Sequence, residues 1–143
     1  MDTETLQFTT NLLEGATRRK NILENVHICG LTSKNGYRYS PDALKNAIPL
    51  YENVDVYVNH NNSKPRPVEE KIGLAKNISF KESTGLWGDL VLNEKHPAYE
   101  QLVWFADNMP SKVGCSHDVD GKINRSAQLV ESIKVVHSVD IVS

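Results

Sequence analysis

The chain has 143 residues, 39% of them hydrophobic and 24% charged, which suits a single domain with a hydrophobic core. Lysine and arginine number 16 against 18 aspartates and glutamates, a net charge of −2, so no basic face is implied and nucleic acid is not a favoured partner. No apolar run reaches membrane-spanning length and residues 1–13 lack a signal-peptide pattern, so a cytosolic protein without a membrane partner is expected, with Cys29 and Cys115 kept as thiols.

Residues 1–7 are polar and expected to be loose, and 8–13 have weak strand character. Residues 15–20 read as a turn or charged excursion. Residues 22–29 alternate as a strand, with Val26 and Ile28 on one face and His27 and Cys29 on the other. Asn35-Gly36 is a turn signal, because both residues tolerate positive φ. Ser40 reads as a helix N-cap, with Pro41 at N1 and Asp42 near the positive end of the dipole. Leu44, Ala47, Ile48 and Tyr51 then form a stripe, and the spacing predicts a helix over 41–50.

Val54, Val56 and Val58 alternate with Asp55, Tyr57 and Asn59 in a strand that ends on His60, which falls on the valine face. The next stretch, NNSKPRPVEEK, is a loop with two prolines, suited to a substrate flap. Residues 72–80 and 86–92 form an antiparallel hairpin around Ser83-Thr84-Gly85. Ile72, Leu74, Ile78 and Phe80 are expected on one face of its first strand. Pro97 opens a second helix to about Asp107, and Asn108-Met109-Pro110 stops it. KVGCSHDVDG, 112–121, reads as a short strand running into a turn over 118–121. Residues 131–143 are a long β-rich run, with Ile133, Val135, Val139 and Ile141 on one face. Many strands with two helices suggest a mixed barrel or sheet rather than a doubly wound fold.

Cys115, Ser116 and His117 stand in a row. A serine hydroxyl needs an imidazole to take its proton, and that imidazole needs a partner to hold its tautomer. Ser116 as nucleophile and His60 as base supply the first two, from distant segments. Read singly, a serine after a strand is more often a turn former, and a histidine at a strand end a capping or surface group. The third member is Asp140, preferred because a carboxylate stabilises imidazolium, or His137. Cys115 is a competing nucleophile, which alternation sets opposite Ser116 as a small buried residue. A metal set of His60, His96, His117 and Cys115 lacks the usual spacings, so no metal or cofactor is expected. His27 and His96 read as structural.

The stretches GLTSKNGYRYSPDALKNAIPLYENVDVYVNH, RPVEEKIGLAKNISF, GLWGDLVL, HPAYEQL, VGCSHDVDG and SVDIVS, in that order and spacing, resemble the tailed-phage prohead maturation proteases over residues 26–143. The resemblance implies an α+β, β-rich fold like that of the herpesvirus assemblins, an antiparallel β-barrel of about seven strands flanked by two or more helices. It also implies a serine endopeptidase that cuts scaffold and major capsid proteins, and itself, inside the immature head in the host cytoplasm. Carried over by position, the family's histidine falls on His60, its serine on Ser116 and its acidic residue on Asp140. Assemblins use a second histidine, which keeps His137 open. Assemblins are activated by dimerising, which raises a homo-oligomer as a question. The family often continues into a scaffold-like tail, so an end at Ser143 fits a trimmed single protease domain. Backbone N–H groups near 121–125 are one place for an oxyanion hole. The rival readings are a non-catalytic scaffold or capsid-associated barrel and a cysteine hydrolase using Cys115.

Overall fold

The computed structural model describes residues 2–10, 16–33, 36–59 and 66–142. Among these the chain order is β1 (Asp2–Thr10), β2 (Thr17–Arg19), β3 (Ile22–Cys29), β4 (Arg38–Tyr39), α1 (Pro41–Tyr51), β5 (Asp55–Val58), β6 (Lys71–Lys81), β7 (Gly85–Leu92), α2 (Tyr99–Asn108), β8 (Gly114–Asn124) and β9 (Leu129–Val142). Short 3₁₀ turns at Val68–Glu70 and Pro110–Lys112 precede β6 and β8.

Local signals account for the first helix. The Ser40 hydroxyl accepts from the Ala43 backbone N–H at 2.9 Å, and Pro41 opens the first turn. Ala43, Leu44, Ala47 and Tyr51 are buried, with Ile48 packed partly against them. Tertiary burial of this face, not propensity, stabilises so short a helix.

The strands join in the order β1-β8-β9-β5-β6-β7-β3-β2, with β4 alongside β9. Most pairs are antiparallel, but β5 and β4 both run parallel to β9. The path ends at β1 and at β2, and no pairing between these two occurs among the described residues. The architecture is therefore an open mixed sheet with two helices, and the closed antiparallel barrel expected from the sequence is corrected. Alternation tells which face of a strand is buried. Closure depends on a hydrogen-bonded seam between the outermost strands, which no single strand encodes.

Bulges shift several faces from their expected positions. In β6 the register with β7 shifts between Lys76 and Ser79, where Asn77 adopts φ 56°. The Glu52 carboxylate accepts from the Asn77 N–H at 2.8 Å and the Ile78 N–H at 3.3 Å. A second shift, against β5, falls at Ile72, and with the two shifts Ile72, Ala75 and Ile78 are buried while Leu74 and Phe80 are only partly so.

The turn expected over 118–121 is strand. β8 continues to Asn124, and the chain reverses over residues 125–128. In β9, Asp118 pairs with Ser138 but Val119 with Val136, so His137 is the extra residue of a bulge. Further shifts follow, and Val135 emerges 43% exposed rather than sharing the core face of Ile133 and Val139. Residues 17–19, read as a turn or excursion, form the short edge strand β2 against β3.

Candidate active site

The backbone register builds the site. Ser116 on β8 stands directly opposite Asp140 on β9, and Asp140 stands beside Tyr57 on β5. Directly paired residues project to the same face, so Ser116, Asp140 and Tyr57 form one row across three strands. The rows on either side, Cys115-Ile141-Val58 and His117-Val139-Val56, project to the other face. Ser116 is 5% exposed and Asp140 is fully buried.

His60 lies outside the described residues. The alternation of β5 sets Val56 and Val58 on the face away from Ser116. That alternation stops at Asn59, which adopts φ 65° and donates its N–H to the Ile141 carbonyl at 2.8 Å. Two strand spacings separate β5 from β8, roughly 10 Å.

Arg66 closes the site. Its Nη1 donates to Asp140 Oδ1 at 3.0 Å, its Nη2 to the Asn59 carbonyl at 2.9 Å and its Nε to Glu70 Oε1 at 3.2 Å. The guanidinium lies over the Tyr57 ring, 4.3 Å from its centroid, and the Arg66 side chain is 5% exposed. A buried pair of this kind is strongly destabilised by losing one partner, because the remaining charge is stranded, at a cost of about 3–5 kcal/mol. Sequence reasoning missed Arg66. Its only local signal is a basic residue between two prolines, and its role comes from where β9 places Asp140.

The opposite face holds a different cluster. His117 is fully buried. Its Nδ1 hydrogen-bonds the Tyr51 hydroxyl, and its Nε2 lies 3.2 Å from the Tyr39 hydroxyl and 4.0 Å from Cys29 Sγ. A neutral imidazole offers one donor and one acceptor, which two hydroxyls match. Burial pushes the imidazole down to about 4, against a smaller upward pull from Asp118. Burial also drives the Cys115 thiol well up, followed by the charges of Asp140 and Cys29. A thiol held protonated in a closed core is a poor nucleophile, so the geometry speaks against Cys115 in that role.

The remaining histidines have structural contacts. His137 Nε2 bonds Asp120 Oδ2 at 2.8 Å, on the half-exposed bulge of β9. His96 Nε2 donates to the Glu69 carbonyl at 2.7 Å, and its Nδ1 accepts from the Ala98 N–H at 3.0 Å, at the entry to α2. His27 Nε2 bonds the Thr84 carbonyl at 2.7 Å, and its ring stacks on Trp87 with centroids 4.5 Å apart. Among the described residues no group of three or more His, Cys, Asp or Glu side chains could hold a metal ion.

Residues 121–124, where an oxyanion hole was expected, lie along β8. Gly121 lies five residues along β8 from Ser116, at most roughly 17 Å. On the opposite face of the sheet from Ser116, a cleft of about 240 Å³ opens between α2 and the strand ends, lined by Val58, Asn59, Leu102, Phe105, Val113 and Ile141.

No protein-family model matches the sequence, and no curated protein matches it in sequence. In three dimensions the chain is similar to the capsid assembly protease gp21 of bacteriophage T4, with a TM-score of 0.68 and 14% sequence identity, over 100% of this chain and 99% of that one. The likeness is one of fold, carried through the whole length.

Proposed function

We propose that the chain is a serine endopeptidase of phage capsid maturation, acting on scaffold and capsid proteins, and on itself, inside the immature head. Ser116 is the nucleophile, His60 its general base and Asp140 the carboxylate that orients the base. The observation that carries this reading is the register that sets Ser116 opposite a fully buried Asp140. The fold likeness to a T4 capsid assembly protease supports the substrate class.

In this mechanism Ser116 Oγ attacks the scissile carbonyl carbon while His60 takes the hydroxyl proton. His60 then protonates the leaving amine, and an acyl-enzyme remains. Water, deprotonated by His60, attacks the ester carbonyl, and the proton returns to Ser116 as the acid product leaves. The carboxylate stabilises the imidazolium that forms in both halves.

The test is incubation of the protein with the scaffold protein of its own phage, wild type beside Ser116→Ala. Defined fragments from wild type alone are expected. Equally intact substrate in both samples overturns the reading and leaves a non-catalytic capsid-associated domain.

A further inference from the structure

We infer that Arg66 is a positioning residue for the reaction proposed above, fixing with one guanidinium both the carboxylate opposite Ser116 and the backbone that leads into His60. The inference rests on the serine endopeptidase reading.

Three bonds leave the same planar group toward three parts of the chain. Nη1 reaches Asp140 on β9 at 3.0 Å, Nη2 reaches the Asn59 carbonyl just after β5 at 2.9 Å, and Nε reaches Glu70 in the 3₁₀ turn at 3.2 Å. The Tyr57 ring supports the plane from below at 4.3 Å. Asn59 is the residue before His60, and its N–H is itself bonded to β9 at Ile141. Arg66 therefore ties the backbone at Asn59 and the turn at Glu70 to the carboxylate row. A fork with fixed angles does this; the single ammonium of a lysine cannot reach all three acceptors. Rates depend on such placement, since a misplacement of about 1 Å costs on the order of 10²-fold.

The experiment compares wild type, Arg66→Lys and Arg66→Ala for kcat and KM on the scaffold substrate, each corrected for folded fraction by near-ultraviolet circular dichroism. Free guanidinium ion is then added at sub-denaturing concentration. In parallel, backbone hydrogen exchange of the segment containing Asn59 is followed without substrate. Arg66→Lys is expected to lower kcat by about 10²-fold with little change in KM, and Asn59 is expected to exchange faster. Guanidinium ion is expected to restore part of the rate in Arg66→Ala and none in wild type. Unchanged kcat per folded molecule in Arg66→Lys, or unchanged exchange at Asn59, overturns the positioning role. If Arg66→Ala does not fold, Arg66→Lys alone decides. A wild-type protein that leaves substrate intact, while Arg66→Lys still loosens Asn59, overturns the endopeptidase reading rather than the tether.

Discussion

Ser116 and His117 are consecutive on β8 and serve opposite faces of the sheet. The serine shares a row with Asp140 and Tyr57, while the histidine is clamped between the Tyr51 and Tyr39 hydroxyls in the core. The imidazole nearest to Ser116 in sequence is thereby withheld from it, so the proposed mechanism takes its base from elsewhere in the chain.

His60→Ala is expected to abolish cleavage, while His117→Gln keeps a rate per folded molecule close to wild type. Cleavage assays on both, corrected for folded fraction, check this. A His117→Gln protein that folds fully yet is inert contradicts the assignment of the base.

Stability should fall on acidification through a window set by His117. Its pKa is about 4 in the folded state against 6.5 as the ordinary value, so below 6.5 the unfolded chain binds the extra proton and the folded one does not. The stability is complete above pH 6.5 and lost as pH falls toward 4, by about 3 kcal/mol over the whole window. Urea unfolding of wild type and His117→Gln at pH 7 and pH 4.5 measures it, with a smaller loss expected in the variant. Equal losses remove His117 as the source.

Asp140→Asn is expected to reduce the cleavage rate by about 10²-fold or more, and His137→Ala by little. The Asp140 carboxylate is fully buried beside Ser116, whereas His137 and Asp120 are a half-exposed pair of the kind that contributes about 1 kcal/mol or less. Steady-state kinetics on the two variants give the order, and the reverse order favours a Ser-His-His arrangement.

Native protein should resist thiol alkylation at Cys115, and Cys115→Ala should remain active. The thiol is closed from solvent, and burial holds it protonated. Mass spectrometry after iodoacetamide treatment, with and without denaturant, reads the first claim. Inhibition by alkylation in the native state would revive the cysteine hydrolase.

Ser40→Ala should lower stability by about 1 kcal/mol, because the Ala43 N–H loses its acceptor at the start of α1. The urea midpoint is expected to shift with no change in slope. An unchanged midpoint shows that the cap contributes nothing here.

Local chemistry was legible along the chain. The Ser40 cap, the hairpin of β6 and β7, the strand over residues 22–29 and the end of α2 follow from capping, turn and alternation signals that act within a few residues. Those signals set where these elements form, whereas Ser116, His60 and Asp140 came forward as candidates through the resemblance to the prohead proteases. The tertiary structure alone decided that the sheet stays open, that β5 runs parallel beside β9, and that Ser116 stands opposite Asp140. It also decided that bulges turn Val135 outward, that a left-handed Asn59 ends the alternation before His60, and that Arg66 is drawn into the site. The parallel pairing and the Asn59 bond depend on strands far apart in the chain, and the register and bulges of β8 and β9 on which residue meets which across them; a period-2 pattern specifies a face without specifying the neighbour across it.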